Sequence, residues 1–355
     1  MINKIYVACA GSGKTSCIVQ NALSKIDENT LITTFTDANC LEIKNKIIEI
    51  NKYVPRNIKV VSWFSFLLND LIKPFMPKII NGPINGVHMV NSKSAFGIKS
   101  NCEDFFLNSE RAIYTDKIAY LAFLSLKENH EDIIYRLKKL YKNIYIDEIQ
   151  DLVGLDLDLV RFLATRNFSM MLAGDPRQKT FSTHYSQKNA EFKNNNIGYF
   201  AKYSDYFSVD YETLNYSFRC PQNTLDTASS LFPNFGKSKS KSNFLGDSIF
   251  LVKHKDVLRY INNEKDVTLL SYNVKAKNEF CLKRYNFGES KGKTLKNVLI
   301  IPTSDMKDSL LTNNFNNLKD ETRCKLYVAL TRASLKTAII ITDSDDTSKS
   351  AIKVY

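Results

Sequence analysis

A short stretch near the N-terminus decides the fold: Ala8-Cys9-Ala10-Gly11-Ser12-Gly13-Lys14-Thr15. An apolar, β-rich run over residues 4–9 leads into it, and a helical pattern over residues 14–26 follows it. Glycines allow such a loop to wrap so that consecutive backbone N–H groups point inward, and the following helix adds the positive end of its dipole. The pattern predicts a phosphate-binding loop. A plain glycine turn before a helix is the alternative.

The residues of the loop have separate predicted roles in such a site. Gly11, Ser12 and Gly13 would surround the phosphates with backbone N–H groups. Lys14 would reach the β- and γ-phosphates of a nucleotide, and the Thr15 hydroxyl would bind Mg²⁺. The pattern usually begins with a glycine, and the alanine at position 8 is small enough to replace it.

A phosphate loop needs one carboxylate to hold the metal and a second to polarise water. Residues 143–148, Asn-Ile-Tyr-Ile-Asp-Glu, provide both at the end of an apolar strand. Adjacent strand residues point to opposite faces, but the chain turns at the carboxyl end of a strand, so both side chains can reach one crevice. Asp147 is predicted to hold Mg²⁺ and Glu148 to orient and deprotonate the attacking water. Helix capping by the two acids is the alternative.

Strand-like and helix-like patterns alternate along nearly the whole chain, which predicts an α/β fold with parallel sheets. The 355 residues exceed the usual limit of one hydrophobic core, so we expect two domains, residues 1–210 and 211–355.

A loop-rich insertion is predicted near residues 74–115. Residues 236–245, which contain Lys-Ser-Lys-Ser-Lys-Ser, are interpreted as a flexible basic linker, with phosphate contact as the alternative. The predicted strands are residues 4–9, 30–35, 58–63, 143–147, 169–174, 248–253, 267–272, 297–303 and 337–343, and the predicted helices include residues 14–26, 37–51 and 155–167.

The composition limits the class of protein. With 44% hydrophobic and 24% charged residues, the chain is typical of a folded globular protein. No apolar run approaches the roughly 18 residues of a membrane span, so no membrane partner is expected. Seven scattered cysteines without a Cys-x-x-Cys pair exclude a disulfide framework and indicate a reducing, cytoplasmic setting. The formal charge of +12 fits either a nucleic-acid partner or lysine enrichment without a binding role.

A series of short motifs, in the same order as in the family, resembles the UvrD/Rep/PcrA-like branch of superfamily 1 helicases. Ile-Asp-Glu-Ile-Gln-Asp at residues 146–151 resembles motif II, and its Gln and Asp distinguish this group from other phosphate-loop enzymes. Ala-Gly-Asp-Pro-Arg-Gln at residues 173–178 resembles motif III, and Tyr-Val-Ala-Leu-Thr-Arg-Ala at residues 327–333 resembles motif VI. The other similar segments are residues 10–15 (motif I), 33–38 (Ia), 62–65 (Ib), 217–220 (IV) and 290–301 (V).

The resemblance implies two RecA-like parallel-sheet domains with ATP in the cleft between them, which closes on binding and opens on hydrolysis. Arg219 and Arg332 would supply positive charge to the departing γ-phosphate from the second domain. Gln178 would sense that phosphate from the first domain, and Phe218 would stack on adenine. A surface salt bridge is the alternative role for each arginine.

The resemblance also implies a grip on single-stranded DNA, for which proteins use basic grooves and aromatic faces. Phe35, Thr36, Trp63 and Phe181 occupy or adjoin positions at which the family contacts DNA. Trp63 is the only tryptophan of the chain, and burial in the core is the alternative for it. RNA stays open as a substrate because stacking and phosphate contacts do not read the 2′-hydroxyl.

The leading prediction is therefore an ATP-dependent DNA helicase or single-strand translocase, acting on single-stranded or tailed duplex DNA and moving 3′ to 5′ by resemblance. Only residues 221–289 separate motifs IV and V, where full-length relatives insert a whole subdomain. This favours the alternative, a DNA-stimulated ATPase switch that gates a protein partner such as a nuclease and unwinds little.

The sequence also departs from motif V at Asn286, Gly288 and Thr294, so no ribose or DNA contact is carried over to them. The few residues before the first strand leave no room for the family's adenine-reading glutamine motif.

Overall fold

The computed structural model describes residues 2–273 and 279–355, and the chain divides into two compact units. The main division falls between Asp210 and Tyr211. Two short segments, one from the phosphate loop and one that begins in motif III, belong to unit 2 although both precede this division in the sequence. Unit 1 consists of the chain up to Val7, Lys14–Pro176 and Ser182–Asp210, and unit 2 of Ala8–Gly13, Arg177–Phe181 and Tyr211–Tyr355.

Unit 1 contains one six-stranded parallel sheet, with the strand order β3-β2-β6-β7-β1-β8, and a separate parallel pair, β4 and β5. Its strands are β1 Asn3–Val7, β2 Thr30–Thr34, β3 Ile58–Ser62, β4 Gly86–His88, β5 Ala112–Tyr114, β6 Asn143–Ile146, β7 Ser169–Gly174 and β8 Phe207–Asp210. Its helices are α1 Lys14–Leu23, α2 Asp37–Asn51, α3 Trp63–Phe66, α4 Ile118–Leu140, α5 Leu155–Thr165 and α6 Asn196–Ala201, and α3 continues into a π-helix over Leu67–Ile72.

The central strands of this sheet are buried on both faces. Every residue of β2 and of β6 is buried, which explains why neither strand carries a charged residue. On one face, Ile18 of α1 and Ile43 of α2 pack against Ile32 and Tyr145 of the sheet. The sheet thus holds the ends of β1, β2, β6 and β7 in fixed register along one edge.

Unit 2 repeats this architecture with a second six-stranded parallel sheet, in the order β13-β12-β14-β15-β11-β16, and a two-stranded parallel pair, β9 and β10. Its strands are β9 Tyr216–Ser217, β10 Lys239–Ser240, β11 Ile249–Lys253, β12 Val267–Ser271, β13 Arg284–Asn286, β14 Leu295–Ile301, β15 Ala333–Ile341 and β16 Lys353–Val354. Its helices are α7 Gln222–Ser230, α8 Val257–Asn263, α9 Ser304–Thr312 and α10 Asp320–Leu330.

Two hydrophobic clusters cover the two faces of the second sheet. Val298 and Ile300 of β14 belong to one cluster, and Leu299 between them belongs to the other. Because successive side chains of a strand point to opposite faces, this division shows that apolar groups cover both sides of β14. Unit 2 is therefore a three-layer α/β structure with its own core, and both units have the RecA-like parallel-sheet architecture.

The α/β class with two parallel sheets is confirmed, and each predicted strand exists. The largest difference lies in β15, which begins at Ala333 and not at residue 337. The sequence missed β8, β13 and β16, which lie at edges of the two sheets. Edge strands are covered on fewer sides than central ones, so they need no continuous apolar run and give a weaker pattern.

The structure gives different results for the predicted insertion and for the predicted basic linker. Between Phe75 and Thr115 the chain forms only β4, β5 and a short 3₁₀ turn, as expected of a loop-rich insertion. The interpretation of residues 236–245 as a flexible linker is wrong for their centre, because β10 pairs with β9 and places Lys239 opposite Tyr216. Serine and lysine alternate with the period of two that a strand requires, and the lysines are the exposed set.

The longest helix of the described residues is α4, with 23 residues. Its helical geometry is interrupted at Asn129, where φ is −136° and ψ is 35°. Neither α4 nor any other helix within the described ranges is long and apolar enough to cross a membrane.

Candidate active site

The predicted phosphate loop connects β1 to α1, and its backbone has the tight curvature that phosphate binding requires. Gly11 and Gly13 adopt left-handed conformations with φ of 74° and 78°, which glycine adopts without strain. The Ser12 N–H donates to the Cys9 carbonyl (3.2 Å) and closes a turn. The Ser12 hydroxyl is buried and has no hydrogen-bond partner within the described residues, a feature that fits a loop built to receive a polar ligand.

Motif IV holds this loop within unit 2. The Ser217 hydroxyl donates to the Ala10 carbonyl (2.7 Å), and the Phe218 N–H donates to the Gly11 carbonyl (2.9 Å). A Cβ atom on Gly11 would lie 2.6 Å from the Cβ of Arg219 and 2.8 Å from the Ser217 hydroxyl. Both the backbone conformation and the close approach of motif IV therefore require glycine at this position.

Unit 1 brings Lys14, Thr15, Asp147 and Glu148 together at the carboxyl end of its sheet. The Lys14 Nζ lies 3.2 Å from Oδ1 of Asp147 and 2.5 Å from Oε1 of Glu148, and the Thr15 hydroxyl donates to Oδ2 of Asp147 (3.0 Å). Glu148 has a left-handed backbone, with φ of 58°, and this turn lets two adjacent residues reach the same lysine. Glu148 makes no capping hydrogen bond to the 3₁₀ turn that follows it, contrary to the helix-cap alternative.

Gln150 is a residue whose role the sequence did not reveal. Its amide nitrogen donates to Oε2 of Glu148, and its amide oxygen accepts from the Asp175 N–H (3.1 Å). It is completely buried and packs against the end of β7 at Gly174. Gln150, in the 3₁₀ turn Ile149–Asp151, thus links the Glu148 carboxylate to the end of the neighbouring strand β7. The available sequence signal was the glutamine of motif II itself.

Burial and charge together set the protonation of this cluster. Burial alone would lower the pKa of Lys14, but the carboxylates of Asp147 and Glu148 raise its pKa above the usual value, so Lys14 stays protonated. Burial raises the pKa of Asp147; the positive charge of Lys14 opposes this rise, and the negative charge of Glu148 adds to it. The lysine therefore opposes the loss of charge from the buried Asp147 carboxyl group.

The oxygen atoms of Thr15 and Asp147 fit a magnesium ion. Mg²⁺ is usually bound by one or two carboxylates together with waters and substrate phosphates. Among the described residues no cluster of three or more His, Cys, Asp or Glu side chains is arranged to hold a metal. The hydroxyl and the carboxylate are already 3.0 Å apart, so one ion can contact both.

Unit 2 brings three other predicted residues together around Thr331. The Arg332 side chain is 1% exposed and donates from one terminal nitrogen to Oε1 of Gln178 (3.0 Å) and to the Thr331 hydroxyl (3.2 Å). Arg219 donates to the Thr331 carbonyl (3.3 Å) and to the Thr294 hydroxyl (2.8 Å). Each arginine is thus oriented by neutral oxygens, and the surface salt-bridge alternative does not describe the buried Arg332.

The predicted nucleic-acid residues occupy different environments. Phe181 is 47% exposed and packs beside Gly288, where a Cβ would lie 3.0 Å from its ring. Phe35 is half-buried and packs edge-to-face on Phe64, with ring centres 5.8 Å apart. The Thr36 hydroxyl accepts from the Asn39 N–H (3.1 Å) and caps α2, so part of its hydrogen-bonding capacity serves the helix.

The predicted stacking role of Trp63 is wrong in this structure. Trp63 is 1% exposed, so no face of its ring is open to a base. Its indole N–H donates to Oδ1 of Asp156 (2.8 Å), whose other oxygen accepts from the Thr183 hydroxyl. The structure supports the core alternative, because a buried indole packs the apolar ring while its N–H satisfies a buried carboxylate.

Comparisons with known proteins bear on the family and on the fold. Residues 100–196 match the family described as the UvrD/REP helicase N-terminal domain. This match confirms, for that part of the chain, the resemblance to UvrD/Rep-like superfamily 1 helicases that the motifs predict. No curated protein sequence matches the chain.

Two solved structures are similar to the chain in fold. The crystal structure of Arterivirus nonstructural protein 10, a helicase, has a TM-score of 0.51 and 17% identity over 98% of this chain and 61% of the viral one. A complex of the same Arterivirus protein with DNA has a TM-score of 0.49 and 15% identity, over 98% of this chain and 62% of that one. This chain therefore spans about three-fifths of the length of the viral helicase chains.

Replacing Lys14 by methionine should make stability fall as pH rises. Lys14 opposes the raised pKa of Asp147, so its loss raises that pKa further. A carboxyl group whose pKa is higher in the folded than in the unfolded state lowers the free energy of unfolding as pH rises. The loss begins near the pKa of the unfolded state, about 4, and is complete above the pKa of the folded state. The variant should lose about 1.4 kcal/mol relative to wild type for each unit by which the pKa rises further.

Denaturant unfolding between about pH 4 and about pH 9, without Mg²⁺, measures this effect. Lys46→Met is the control, since Lys46 pairs with a Glu49 side chain that is 67% exposed, and its difference from wild type should not depend on pH. Parallel pH profiles for Lys14→Met and wild type would contradict the expectation.

Trp63→Phe should destabilise the protein without weakening its binding to single-stranded DNA. The change removes the indole N–H that donates to the buried Asp156 carboxylate. Loss of this hydrogen bond should lower the free energy of unfolding by about 1–3 kcal/mol. Circular dichroism must follow the unfolding, because the variant contains no tryptophan. Unchanged stability together with a weaker affinity for DNA would restore the stacking role.

Proposed function

We propose that the protein hydrolyses ATP to drive movement along single-stranded DNA, as a helicase or translocase. The observation that carries this proposal is the cluster of Lys14, Thr15, Asp147 and Glu148 at the carboxyl end of the first sheet. It combines a cation for phosphates, oxygens for Mg²⁺ and a carboxylate for water, which are the parts that phosphoryl transfer to water requires. The family match and the helicase-like fold support the same class.

The ion pairs of Lys14 define what must change when a nucleotide binds. The lysine exchanges carboxylate oxygens for phosphate oxygens, so its positive charge stays paired throughout. Glu148 then loses its cationic partner and keeps Gln150, which holds the carboxylate for orienting water and accepting its proton. Thr15 and Asp147 would hold Mg²⁺, which supplies charge neutralisation for the phosphates when it is bound.

The resemblance assigns further roles to residues of unit 2. Arg332 and Arg219 would stabilise the charge that develops on the γ-phosphoryl group. Gln178, which accepts from Arg332, would respond to that group, so its contact with Arg332 joins motif III to motif VI. Both arginines donate to oxygens of Thr331, which holds the two guanidinium groups near one residue.

The nucleic-acid partner is proposed to be single-stranded or tailed duplex DNA, with 3′ to 5′ movement by resemblance. The exposed ring of Phe181 and the half-buried Phe35 offer aromatic surface for bases.

We further propose a reducing, cytoplasmic setting, because none of the seven cysteines forms a disulfide in the part of the chain that the structure describes.

Single-stranded DNA should stimulate ATP turnover, and Glu148→Gln should abolish the stimulated rate. Loss of the carboxylate removes the base, so kcat should fall about 10²- to 10⁴-fold while ATP binding persists. Lys14→Ala should lose binding as well as turnover. Phosphate release with no nucleic acid, single-stranded DNA, single-stranded RNA and duplex DNA measures this response.

Glu49→Gln is the matched control, because it makes the same chemical change at an exposed position in α2. It should retain the stimulated rate. Turnover that is equal with and without every nucleic acid would overturn the proposal. Stimulation by RNA alone would reassign the substrate.

A second candidate is a DNA-stimulated ATPase switch that gates a protein partner and unwinds little. The observation in its favour lies between motifs IV and V, where the described residues after Cys220 form α7, β10, β11, α8, β12 and β13, all within unit 2. Because β11, β12 and β13 are strands of the second sheet, the described part of this stretch contains no separate subdomain.

Strand displacement separates the two candidates. A translocase that moves 3′ to 5′ should release the strand from a duplex with a 3′ single-stranded tail and leave a 5′-tailed duplex intact. A switch should hydrolyse ATP on both substrates and displace neither strand. Gel separation of the labelled strand, with Glu148→Gln as the inactive reference, gives the measurement, and preferential release from the 5′-tailed duplex would contradict the predicted direction.

A further inference from the structure

The first part of the phosphate loop, residues 8–11, is held by hydrogen bonds from other segments of unit 2. The Cys9 N–H donates to the Leu214 carbonyl (2.9 Å), and motif IV binds two carbonyls of the loop. Two further contacts come from the buried side chains of Arg177 and Tyr327, which belong to motifs III and VI. Segments from motifs III, IV and VI therefore all fix this part of the loop.

Arg177 fixes the start of the loop. It lies in the 3₁₀ turn Pro176–Gln178 and is 2% exposed. One terminal nitrogen of its side chain donates to the Ala8 carbonyl (2.9 Å), and the other donates to the Ser238 hydroxyl (3.3 Å). Because the donors of a guanidinium group lie in one rigid plane, the two bonds together determine its orientation.

Aromatic rings restrict where the guanidinium group of Arg177 can lie. Its Cζ lies 5.0 Å from the centre of the Tyr327 ring and 5.7 Å from the centre of the Phe235 ring. Both distances lie within the range of cation–π attraction. Tyr327 is itself 1% exposed and packs edge-to-face on Phe232, with ring centres 5.8 Å apart. The arginine thus reaches the loop from a rigid, buried environment.

The Tyr327 hydroxyl contacts the loop directly. Its oxygen accepts from the Ala10 N–H (3.4 Å), two residues after the carbonyl that Arg177 binds. This distance is longer than that of an ordinary hydrogen bond, so we expect a smaller contribution from Tyr327 than from Arg177. The Phe218 ring of motif IV, in contrast, is 61% exposed, and Phe218 binds the loop through its backbone N–H.

The affinity of such a loop for phosphate depends on its conformation before the ligand arrives. Consecutive N–H groups bind an anion only when they converge on it. A loop that is free to move must be ordered at the moment of binding, and this ordering weakens the affinity. Anchors on residues 8–10 remove that cost in the ground state and in the transition state alike. They therefore affect nucleotide binding and not the hydrolytic step.

We propose that Arg177 and Tyr327 are positioning residues of the phosphate loop. By fixing the Ala8 carbonyl and the Ala10 N–H, they hold the loop ready for phosphates and increase its affinity for nucleotide, without taking part in hydrolysis. This inference rests on the proposed nucleotide hydrolysis, and it gives a role to two residues to which the family resemblance assigns none.

Calorimetric titration with a non-hydrolysable ATP analogue and Mg²⁺ tests the role of Arg177. Arg177→Lys keeps the positive charge but replaces the guanidinium fork by one nitrogen, so it cannot bind Ala8 and Ser238 in the same way. The dissociation constant should rise about 10-fold, the size of one hydrogen bond from a charged group. The number of sites per molecule should stay at the wild-type value, because a displaced loop weakens every site whereas unfolding removes sites.

Arg323→Lys is the matched control for Arg177→Lys. The Arg323 side chain also lies in unit 2 and also donates to backbone oxygens, the carbonyls of Phe315 and Leu318. Its replacement should lower the free energy of unfolding, measured with denaturant, because these bonds are lost. The dissociation constant of the analogue should stay within about 2-fold of wild type, since neither carbonyl belongs to the loop.

Tyr327→Phe tests the second anchor, because it removes the hydroxyl and keeps the ring beside Arg177. The Ala10 N–H loses its acceptor, and the dissociation constant should rise about 2- to 5-fold. Tyr260→Phe is its matched control, since the Tyr260 hydroxyl is buried and has no hydrogen-bond partner within the described residues. This control should bind the analogue as wild type does. If Arg177→Lys does not fold, the comparison of the two tyrosine variants decides the question.

Turnover of ATP separates positioning from a merely structural role. Both loop variants should raise KM with kcat within about 2-fold of wild type, because they remove binding that the ground state and the transition state share. Loss of folded protein would lower kcat and leave KM unchanged.

Three results would overturn the proposal: unchanged affinity in Arg177→Lys and Tyr327→Phe, equal weakening in the control variants, or a fall in kcat at constant KM. The proposed motor function fails separately, when the analogue binds with the expected ratios but nucleic acid does not stimulate turnover. Failure of the wild-type protein to bind the analogue would overturn both.

Discussion

The buried ion pairs of Lys14 organise the rest of the first site. Taking an ammonium group out of water is expensive unless partners are well placed, and here Asp147 and Glu148 provide two carboxylates within 3.2 Å and 2.5 Å. Their adjacency requires the left-handed turn at Glu148, and the orientation of Glu148 requires Gln150. The contacts of one positive charge thus involve both residues at the turn that follows β6.

Unit 2 gathers two arginines around Thr331. Arg332 is buried and Arg219 is half-buried, and the oxygens that orient them include the hydroxyl and carbonyl of Thr331. The Arg332 side chain also donates to Gln178, so the segments of motif III and motif VI meet within unit 2.

Much of the fold followed from patterns in the sequence, and the failures have physical causes. Central parallel strands such as β2 are buried on both faces, so they appear as apolar runs with clear ends. The edge strands β13 and β16 have weaker patterns because they are covered on fewer sides. The basic segment around β10 was misread because alternating lysine and serine is typical of both a solvated linker and a strand with one exposed face. Only its pairing with β9 distinguishes the two.

The sequence by itself determined the chemistry that local geometry controls. Gly11 and Gly13 had to form a tight loop because of their backbone freedom, and Asp147 and Glu148 had to emerge at a strand end because an apolar run precedes them. The tertiary structure alone decided which distant groups meet. Trp63 became a core residue because a carboxylate from another helix, Asp156, accepts its N–H. Arg177 reached the ring of Tyr327 because unit 2 brings two distant segments together, and no local pattern encodes a contact between residues so far apart in the chain.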